Sequence, residues 1–452
     1  MFRCFLLMNR SAFLLAVALT VSGCGGKPLR DLFMMPTPAA YEDASTPFGE
    51  VAAGEGGTAH LDMLYATNRA PATADEKDPY YSGERGYLVR VGASQISFGD
   101  SDVTWDKARE ISLLKNRPGE FPLRVQSVKE FGVIPNSVSV FTPYEQGPEI
   151  YARDARQFAD AINARLERSD IEDVFIYVHG YKVIFENPLL VASELWHFLG
   201  YEGAFVAFSW PSRPSTLAYF KDIESARLSA WALRKLIDYI GEETNAKRIH
   251  IIGYSAGTRV VLNALHEIAL SHPGQSSAEI QAETRLGNVI LVGSDVDTGV
   301  FAGHILDGML NVQERMTLYG SAGDKALKIS EKVFVHRRMG EVLAGSLNER
   351  MREFVVKNPQ LALVDITGAA DFDTGNGHAY FRKSPWVSSD VLMTLRYGLG
   401  PEDRGLTRNE GSPIWRFPDD YLARFDAALE KANPALKSPV VDQALPAEIA
   451  AQ

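Results

Sequence analysis

The chain has 452 residues, of which 46% are hydrophobic and 23% are charged, and its formal net charge is −11. This composition is typical of a globular protein and excludes a disordered, collagen-like or multi-span membrane chain. The excess of acidic residues argues against binding to nucleic acid. Both cysteines, Cys4 and Cys24, lie near the N-terminus. No disulfide framework or cysteine metal site is therefore expected in the rest of the chain.

The first 23 residues have the pattern of a signal peptide. Two arginines precede an apolar stretch, residues 11–21, that is too short to span a bilayer comfortably. The segment Val21–Cys24 resembles the lipobox of bacterial lipoproteins, which implies a lipid anchor on Cys24, since several acyl chains on one cysteine attach a protein stably. By analogy with Gram-negative lipoproteins, Gly25 after the cysteine implies the outer membrane, facing the periplasm. An ordinary secretory signal with an incidental cysteine is the alternative.

The rest of the chain divides by its pattern of apolar residues. Residues 24–60, with several prolines and glycines, are predicted to form a tether. Residues 61–134 predict a strand-rich N-terminal extension. In residues 135–400, short apolar strands alternate with amphipathic helices, which predicts an α/β domain with a mostly parallel sheet covered by helices on both faces. Residues 401–452 predict a C-terminal helix and a tail.

The predicted elements are these, in chain order. The strands are 62–67, 86–91, 122–126, 174–178, 204–208, 248–252, 288–292, 316–319 and 361–365. The helices are about 150–167, 188–199, 218–241, 256–270, 323–332, 386–396 and 419–432.

A candidate nucleophile lies where an apolar strand runs into a Gly-x-Ser-x-Gly segment. Residues 253–257 read Gly-Tyr-Ser-Ala-Gly, directly after the strand 248–252 and directly before a helical stretch. This context is typical of a nucleophile elbow, a sharp turn that points the serine at the N-terminal end of the next helix, where negative charge is favoured. Ser255 is therefore the predicted nucleophile. The alternative is a glycine-rich strand–helix turn with an idle serine.

A serine nucleophile needs a base, and an acid that orients this base. In the elbow architecture the chain order is serine, acid, histidine. His378 lies in a glycine-rich segment, residues 373–381, just after the last predicted strand, and is the predicted base. His266 and His272 lie in or just beyond the helix after the elbow, so neither can easily point back at Ser255. A surface-loop role for His378 is the alternative.

Two aspartates compete for the role of the acid. Asp324 follows the strand 316–319 and opens a helix, whereas Asp295 follows the preceding strand. Asp324 is preferred because the second strand after the elbow is the commoner position for the acid. Asp324 could instead be a helix cap and Asp295 a turn former, so both assignments stay open. Asp297 is a third candidate.

Negative charge on the substrate oxygen requires two backbone N–H donors fixed in advance. The N–H of Ala256, directly after the nucleophile, is the first predicted donor. The second is the N–H of Tyr181, because the strand 174–178 ends in His179-Gly180, where glycine permits close approach. His179 is expected to brace this loop.

Together these residues resemble the α/β-hydrolase superfamily, and within it a bacterial group of uncharacterised esterase- or lipase-like proteins. The resemblance covers roughly residues 61–400 and implies the α/β-hydrolase fold and a Ser-His-Asp triad. Two motifs differ from the group: Tyr-Ser-Ala stands at the elbow where His-Ser-Met is frequent, and Gly-Ser-Asp at residues 293–295 replaces Ala-Pro-Asp. The matching segments are Tyr65–Arg69, Tyr81–Arg85, Val178–Tyr181, Phe208–Arg213, Gly253–Gly257, Asp295–Asp297, Leu318–Leu327 and Gly377–His378.

The sequence thus predicts a carboxylesterase-like serine hydrolase of the cell envelope that acts on small-molecule or lipid esters through an acyl-enzyme. Amide hydrolysis and acyl transfer use the same residues and stay open. The sequence contains no zinc-protease, Walker or dinucleotide motif, so no metal ion and no cofactor is expected. The alternative from another class is a non-catalytic envelope lipoprotein that uses the hydrolase fold as a binding module.

Overall fold

The computed structural model describes residues 32–41, 59–76, 78–99, 103–115, 117, 119–138, 142, 148–215, 218–321, 323–334, 338–341, 347–369, 378 and 380–432. The predicted signal peptide, Cys24 and most of the predicted tether lie outside the described residues.

The described strands form one sheet. They are β1 (Leu32–Phe33), β2 (His60–Pro71), β3 (Tyr81–Phe98), β4 (Pro122–Val133), β5 (Asp173–Val178), β6 (Ala204–Ser209), β7 (Arg248–Tyr254), β8 (Leu286–Val292), β9 (Arg315–Gly320), β10 (Leu361–Asp365) and β11 (Ile414–Arg416). Their order is β1-β4-β3-β2-β6-β5-β7-β8-β9-β10-β11. The pairs among β1, β4, β3 and β2 are antiparallel, and every pair from β2 to β11 is parallel.

Helices cover both faces of this sheet. The helices are α1 (Trp105–Leu113), α2 (Pro148–Leu166), α3 (Glu186–Phe198), α4 (Tyr219–Glu243), α5 (Gly257–Ser271), α6 (Ser277–Thr284), α7 (Thr298–Leu306), α8 (Lys325–Phe334), α9 (Glu349–Lys357), α10 (Pro385–Tyr397) and α11 (Tyr421–Ala432). One apolar cluster joins the sheet to α2, α4 and α5, and another joins it to α3, α10 and α11. The predicted fold class, a mostly parallel sheet covered on both faces, is confirmed.

Strand β5 shows why the central strands are apolar throughout. Val174, Ile176 and Val178 belong to the cluster on one face, and Phe175 and Tyr177 belong to the cluster on the other. Successive side chains of a strand point to opposite faces, so a strand between two helical layers buries all of them. All six residues of β5 are buried.

The N-terminal strands are part of the same sheet. β2 is parallel to β6, and β3 and β4 continue the sheet beyond it as an antiparallel edge. β3 is far longer than the predicted strand 86–91. The sequence patterns did not predict the short strands β1 and β11 or the helices α1, α6 and α9. For α6 a usable signal was present, because Ser276 and Glu279 form a capping box at its start.

None of the described helices combines the length and the apolar character that a membrane span requires.

Candidate active site

The turn between β7 and α5 has the geometry of a nucleophile elbow. Ser255 has φ +52°, in the left-handed region that costs a non-glycine residue about 1–3 kcal/mol. Its N–H donates to the carbonyl of Val292 on β8 at 2.8 Å, which helps to hold the strained turn. A Cβ on Gly257 would lie 2.3 Å from the carbonyl oxygen of His179, so only glycine permits the observed approach of α5 to β5. Ser255 itself is 5% exposed.

His378 lies between Ser255 and Asp324. Its Nε2 is 2.8 Å from Ser255 Oγ, and its Nδ1 is 2.6 Å from Asp324 Oδ2. Because a carboxylate can only accept, Nδ1–H donates to Asp324, and Nε2 is left to accept the hydroxyl proton of Ser255. The three predicted residues therefore form a continuous hydrogen-bond chain, although the serine and the histidine are 123 residues apart.

Asp324 is fully buried and each of its carboxylate oxygens has a separate task. Oδ1 accepts the backbone N–H groups of Ala326 and Leu327, both at 3.0 Å, and so caps α8. Oδ2 accepts His378 and also the hydroxyl of Tyr380, the latter at 2.8 Å. Asp324 therefore does both: it caps α8, which was the alternative left open by the sequence, and it contacts His378.

Asp295 has other partners. It accepts the hydroxyls of Tyr219 and Ser330, each at 2.6 Å, and the Nε–H of Arg259 at 3.1 Å. The Nε of Arg338 lies 3.6 Å from its Oδ1. Burial, together with the Asp295 carboxylate, raises the pKa of Tyr219, which therefore stays a hydrogen-bond donor. Asp295 thus holds α4, α5 and α8 together.

The third aspartate, Asp297, caps α7. Its Oδ1 accepts the N–H of Gly299 at 2.8 Å and that of Val300 at 3.1 Å. The structure therefore brings Asp324, and neither Asp295 nor Asp297, to His378.

The segments that carry the two predicted oxyanion donors, Ala256 and Tyr181, lie next to Ser255. Ala256 is at the start of α5, where the first N–H groups of a helix have no acceptor within the helix. The β5–α3 loop (residues 179–185) passes close by, since a Cβ on Gly180 would be only 3.1 Å from the Cβ of Ser255. The ring of Tyr181 packs edge-on against Tyr219, with 5.1 Å between centroids.

His179 makes the contacts expected of a residue that stabilises the β5–α3 loop. Its Nδ1 is 2.6 Å from the carbonyl oxygen of Gly180, and its ring stacks on Trp210 with 5.1 Å between centroids. The indole N–H of Trp210 donates to the carbonyl of His179 at 2.6 Å. Burial, followed by the positive charge of Arg69, lowers the pKa of His179 well below its usual value. A neutral imidazole can make these contacts without adding charge to the loop.

The other described histidines after the elbow have partners elsewhere. His266 is 2.7 Å from Asp307 and stacks on His304 with 4.1 Å between centroids. Burial and the neighbouring His266 lower the pKa of His304 to about 4. His272 contacts the carbonyl of Ile268. His336 lies outside the described residues.

Two tyrosines make contacts with His378 and Asp324 that were not predicted from the sequence. Tyr254, which precedes the serine in the elbow, donates its hydroxyl to the backbone carbonyl of His378. Tyr380 is buried, has φ +37° and donates to Asp324. A Cβ on Gly293 would lie 2.9 Å from the Tyr380 ring, so glycine makes room for this tyrosine. The only sequence signal for either contact was its position one or two residues from a predicted site residue.

Comparison with known proteins matches the part of the chain that contains Ser255, Asp324 and His378. A family model described as "Alpha/beta hydrolase of unknown function (DUF900)" matches residues 154–396, more than half of the chain. Ser255, Asp324 and His378 all lie inside this match. The chain is also 26% identical over 151 residues to an uncharacterized protein, alr1448, of Nostoc sp. (strain PCC 7120). That similarity covers 28% of this chain and 39% of the relative. The protein therefore belongs to this family of α/β hydrolases of unknown function.

Proposed function

We propose that the protein is a serine hydrolase that cleaves acyl esters through an acyl-enzyme intermediate. The observation that carries the proposal is the hydrogen-bond chain from Ser255 through His378 to Asp324, with distances of 2.8 and 2.6 Å. The strained backbone of Ser255 and the start of α5 beside it add support, since both belong to the geometry of a nucleophile elbow.

Acylation follows from these contacts. Ser255 Oγ attacks the carbonyl carbon of the ester while its proton passes to His378 Nε2. Asp324 keeps the proton on Nδ1 and stabilises the imidazolium that forms. The carbonyl oxygen becomes negative and accepts the N–H groups of Ala256 and Tyr181. The bond to the alcohol then breaks, and the leaving oxygen takes the proton from His378.

Deacylation repeats the steps with water. Water loses a proton to His378 Nε2 and attacks the acyl-enzyme carbonyl carbon. The tetrahedral intermediate then collapses, releasing the carboxylic acid, and Ser255 Oγ regains its proton. An alcohol in place of water would give acyl transfer with the same residues. Product analysis with an added alcohol separates the two reactions, and we expect the free acid to predominate.

A fluorophosphonate probe tests the proposal. We expect the probe to label the purified protein on Ser255, and we expect Ser255→Ala to lose both the label and at least about 10³-fold in ester hydrolysis. Ser271→Ala, at the other end of α5, is the matched control and should keep both. A wild-type protein that neither takes up the label nor hydrolyses a series of p-nitrophenyl esters would instead indicate a non-catalytic binding module.

We further propose that the mature protein is held in the bacterial cell envelope, in the outer membrane facing the periplasm, by lipid on Cys24. The support is the lipobox-like segment Val21–Cys24 and the apolar stretch before it. Cys24→Ser should move the protein from the membrane fraction to the soluble fraction of lysed cells, whereas Cys4→Ser should leave its distribution unchanged. An unaltered membrane fraction for Cys24→Ser would refute the anchor.

A further inference from the structure

Arg69, on β2, is a buried cation that the proposed mechanism does not use. It is 1% exposed, and all three nitrogen atoms of its guanidinium donate hydrogen bonds. The acceptors lie in segments far apart in the chain. They are Ser209 Oγ at 3.0 Å from Nε, the carbonyls of Ser82 and Ser212 at 3.2 and 3.0 Å from Nη1, and the carbonyl of Val183 at 2.9 Å from Nη2.

These acceptors are neutral, which is unusual for a buried charge. Taking a guanidinium out of water is expensive, and a hydrogen-bonded carboxylate normally offsets part of the cost. Burial lowers the pKa of Arg69 to about 10, so the side chain is still charged at neutral pH. The planar, five-donor guanidinium suits a task in which several carbonyls must be held at once.

One of the segments that Arg69 binds is the β5–α3 loop. Val183, whose carbonyl accepts from Arg69, is two residues after Tyr181, and the intervening Lys182 has φ +66°. The N–H of Val183 donates to Ser212 Oγ at 3.2 Å, and this hydroxyl donates to Asp222 at 3.1 Å. Both backbone groups of Val183 are therefore tied to one network. These contacts oppose relaxation of the strained turn at Lys182.

We propose that Arg69 is a positioning residue of the active site, which fixes the β5–α3 loop so that the Tyr181 N–H faces the substrate oxygen. The inference rests on the proposed function. It also brings the N-terminal strands into the active-site architecture, because Arg69 lies on β2 and outside the segment 154–396 that the family model matches.

The test compares Arg69→Met with Arg117→Met. Arg117 is a matched control, because its guanidinium also donates to carbonyls and one hydroxyl and burial lowers its pKa to about 10, yet none of its acceptors lies in the β5–α3 loop. Those acceptors are the carbonyls of Ile111, Met34, Met35 and Ser112 and the hydroxyl of Thr37. We expect folded Arg69→Met to lose about 10²-fold in kcat with KM nearly unchanged, the cost of one oxyanion donor. Arg69→Lys should recover only part of kcat, because an ammonium cannot reach all four acceptors.

Hydrogen–deuterium exchange of residues 180–185 provides a readout that does not depend on catalysis. We expect the amides of residues 180–185 to exchange faster in Arg69→Met than in the wild type, and at the wild-type rate in Arg117→Met. If Arg69→Met fails to fold, Ser212→Ala replaces it, since it removes the acceptor of the Val183 N–H, and the same changes should appear at smaller size. A folded variant with wild-type kcat, or with unchanged exchange in this loop, would overturn the proposal. An inactive wild-type protein would refute the proposed hydrolase instead, and the exchange comparison would still decide whether Arg69 holds the loop.

Discussion

Asp324→Asn is expected to lower kcat by about 10⁴-fold while the protein stays folded, the size of effect seen when the acid of a serine-protease triad is made neutral. The amide oxygen can still cap α8 by accepting the N–H groups of Ala326 and Leu327. The amide nitrogen, however, is a donor and cannot accept from His378 Nδ1. The histidine is then driven to the other tautomer, in which Nε2 carries the proton and cannot take one from Ser255. Kinetics on an ester that the wild-type protein cleaves provide the measurement.

Asp295→Asn is the comparison for this prediction. It weakens the ion pairs with Arg259 and Arg338, so we expect a lower free energy of unfolding. The contacts between Ser255 and His378 and between His378 and Asp324 are left intact. Folded Asp295→Asn should therefore keep kcat within about tenfold of wild type. If Asp295→Asn removed most of the activity and Asp324→Asn did not, the assignment of the acid would be wrong.

Arg404→Met should lower the free energy of unfolding by about 3–5 kcal/mol, because it leaves a buried carboxylate without its cation. Arg404 binds Asp390 through two hydrogen bonds, at 2.7 and 3.1 Å, and neither side chain is exposed. Tyr319 also donates to Asp390, at 2.5 Å, so β9, α10 and the segment after α10 meet at this carboxylate. Urea denaturation measures the effect.

A surface pair supplies the control. Lys431 and Asp403 are 3.5 Å apart with side chains 81% and 54% exposed, and Lys431→Met should change the free energy of unfolding by no more than about 1 kcal/mol. The double variant with Arg404→Met and Asp390→Leu should recover part of the loss, since it removes both charges. A change of less than about 1 kcal/mol in Arg404→Met would show that this ion pair does not stabilise the fold.

Most of the fold could be predicted from the sequence because its signals are local. The strands β5 to β10 are short apolar runs, and the helices between them repeat apolar residues at helical spacing, so each element is recognisable from its own residues. Among the misses, β11 and α6 had weak local signals, whereas α9 is amphipathic and follows an Asn348 cap, so its signal was present. β11 has three residues, and α6 has little amphipathic character, although its capping box was present.

In the candidate site, too, some residues could be predicted from local sequence and others could not. Ser255 could be singled out because the strand, the tight turn and the helix of the elbow are contiguous in the chain. Choosing between Asp324 and Asp295 needed the structure, because each follows a parallel strand and each was consistent with a local role. What separates them is the set of partners that other elements bring to each: His378 and Tyr380 to Asp324, and two arginines, a tyrosine and a serine to Asp295.

The sequence alone determined the fold class and the position of the elbow, since periodicity and a five-residue turn are properties of neighbouring residues. Only the tertiary structure decided which side chains meet. The contact between Arg69 and Val183 joins residues 114 apart, and the contact between His378 and Ser255 joins residues 123 apart. It also decided that β2, β3 and β4 continue the central sheet. Such contacts depend on the order in which strands pair and on how helices pack over them, and no local pattern of residues encodes that order.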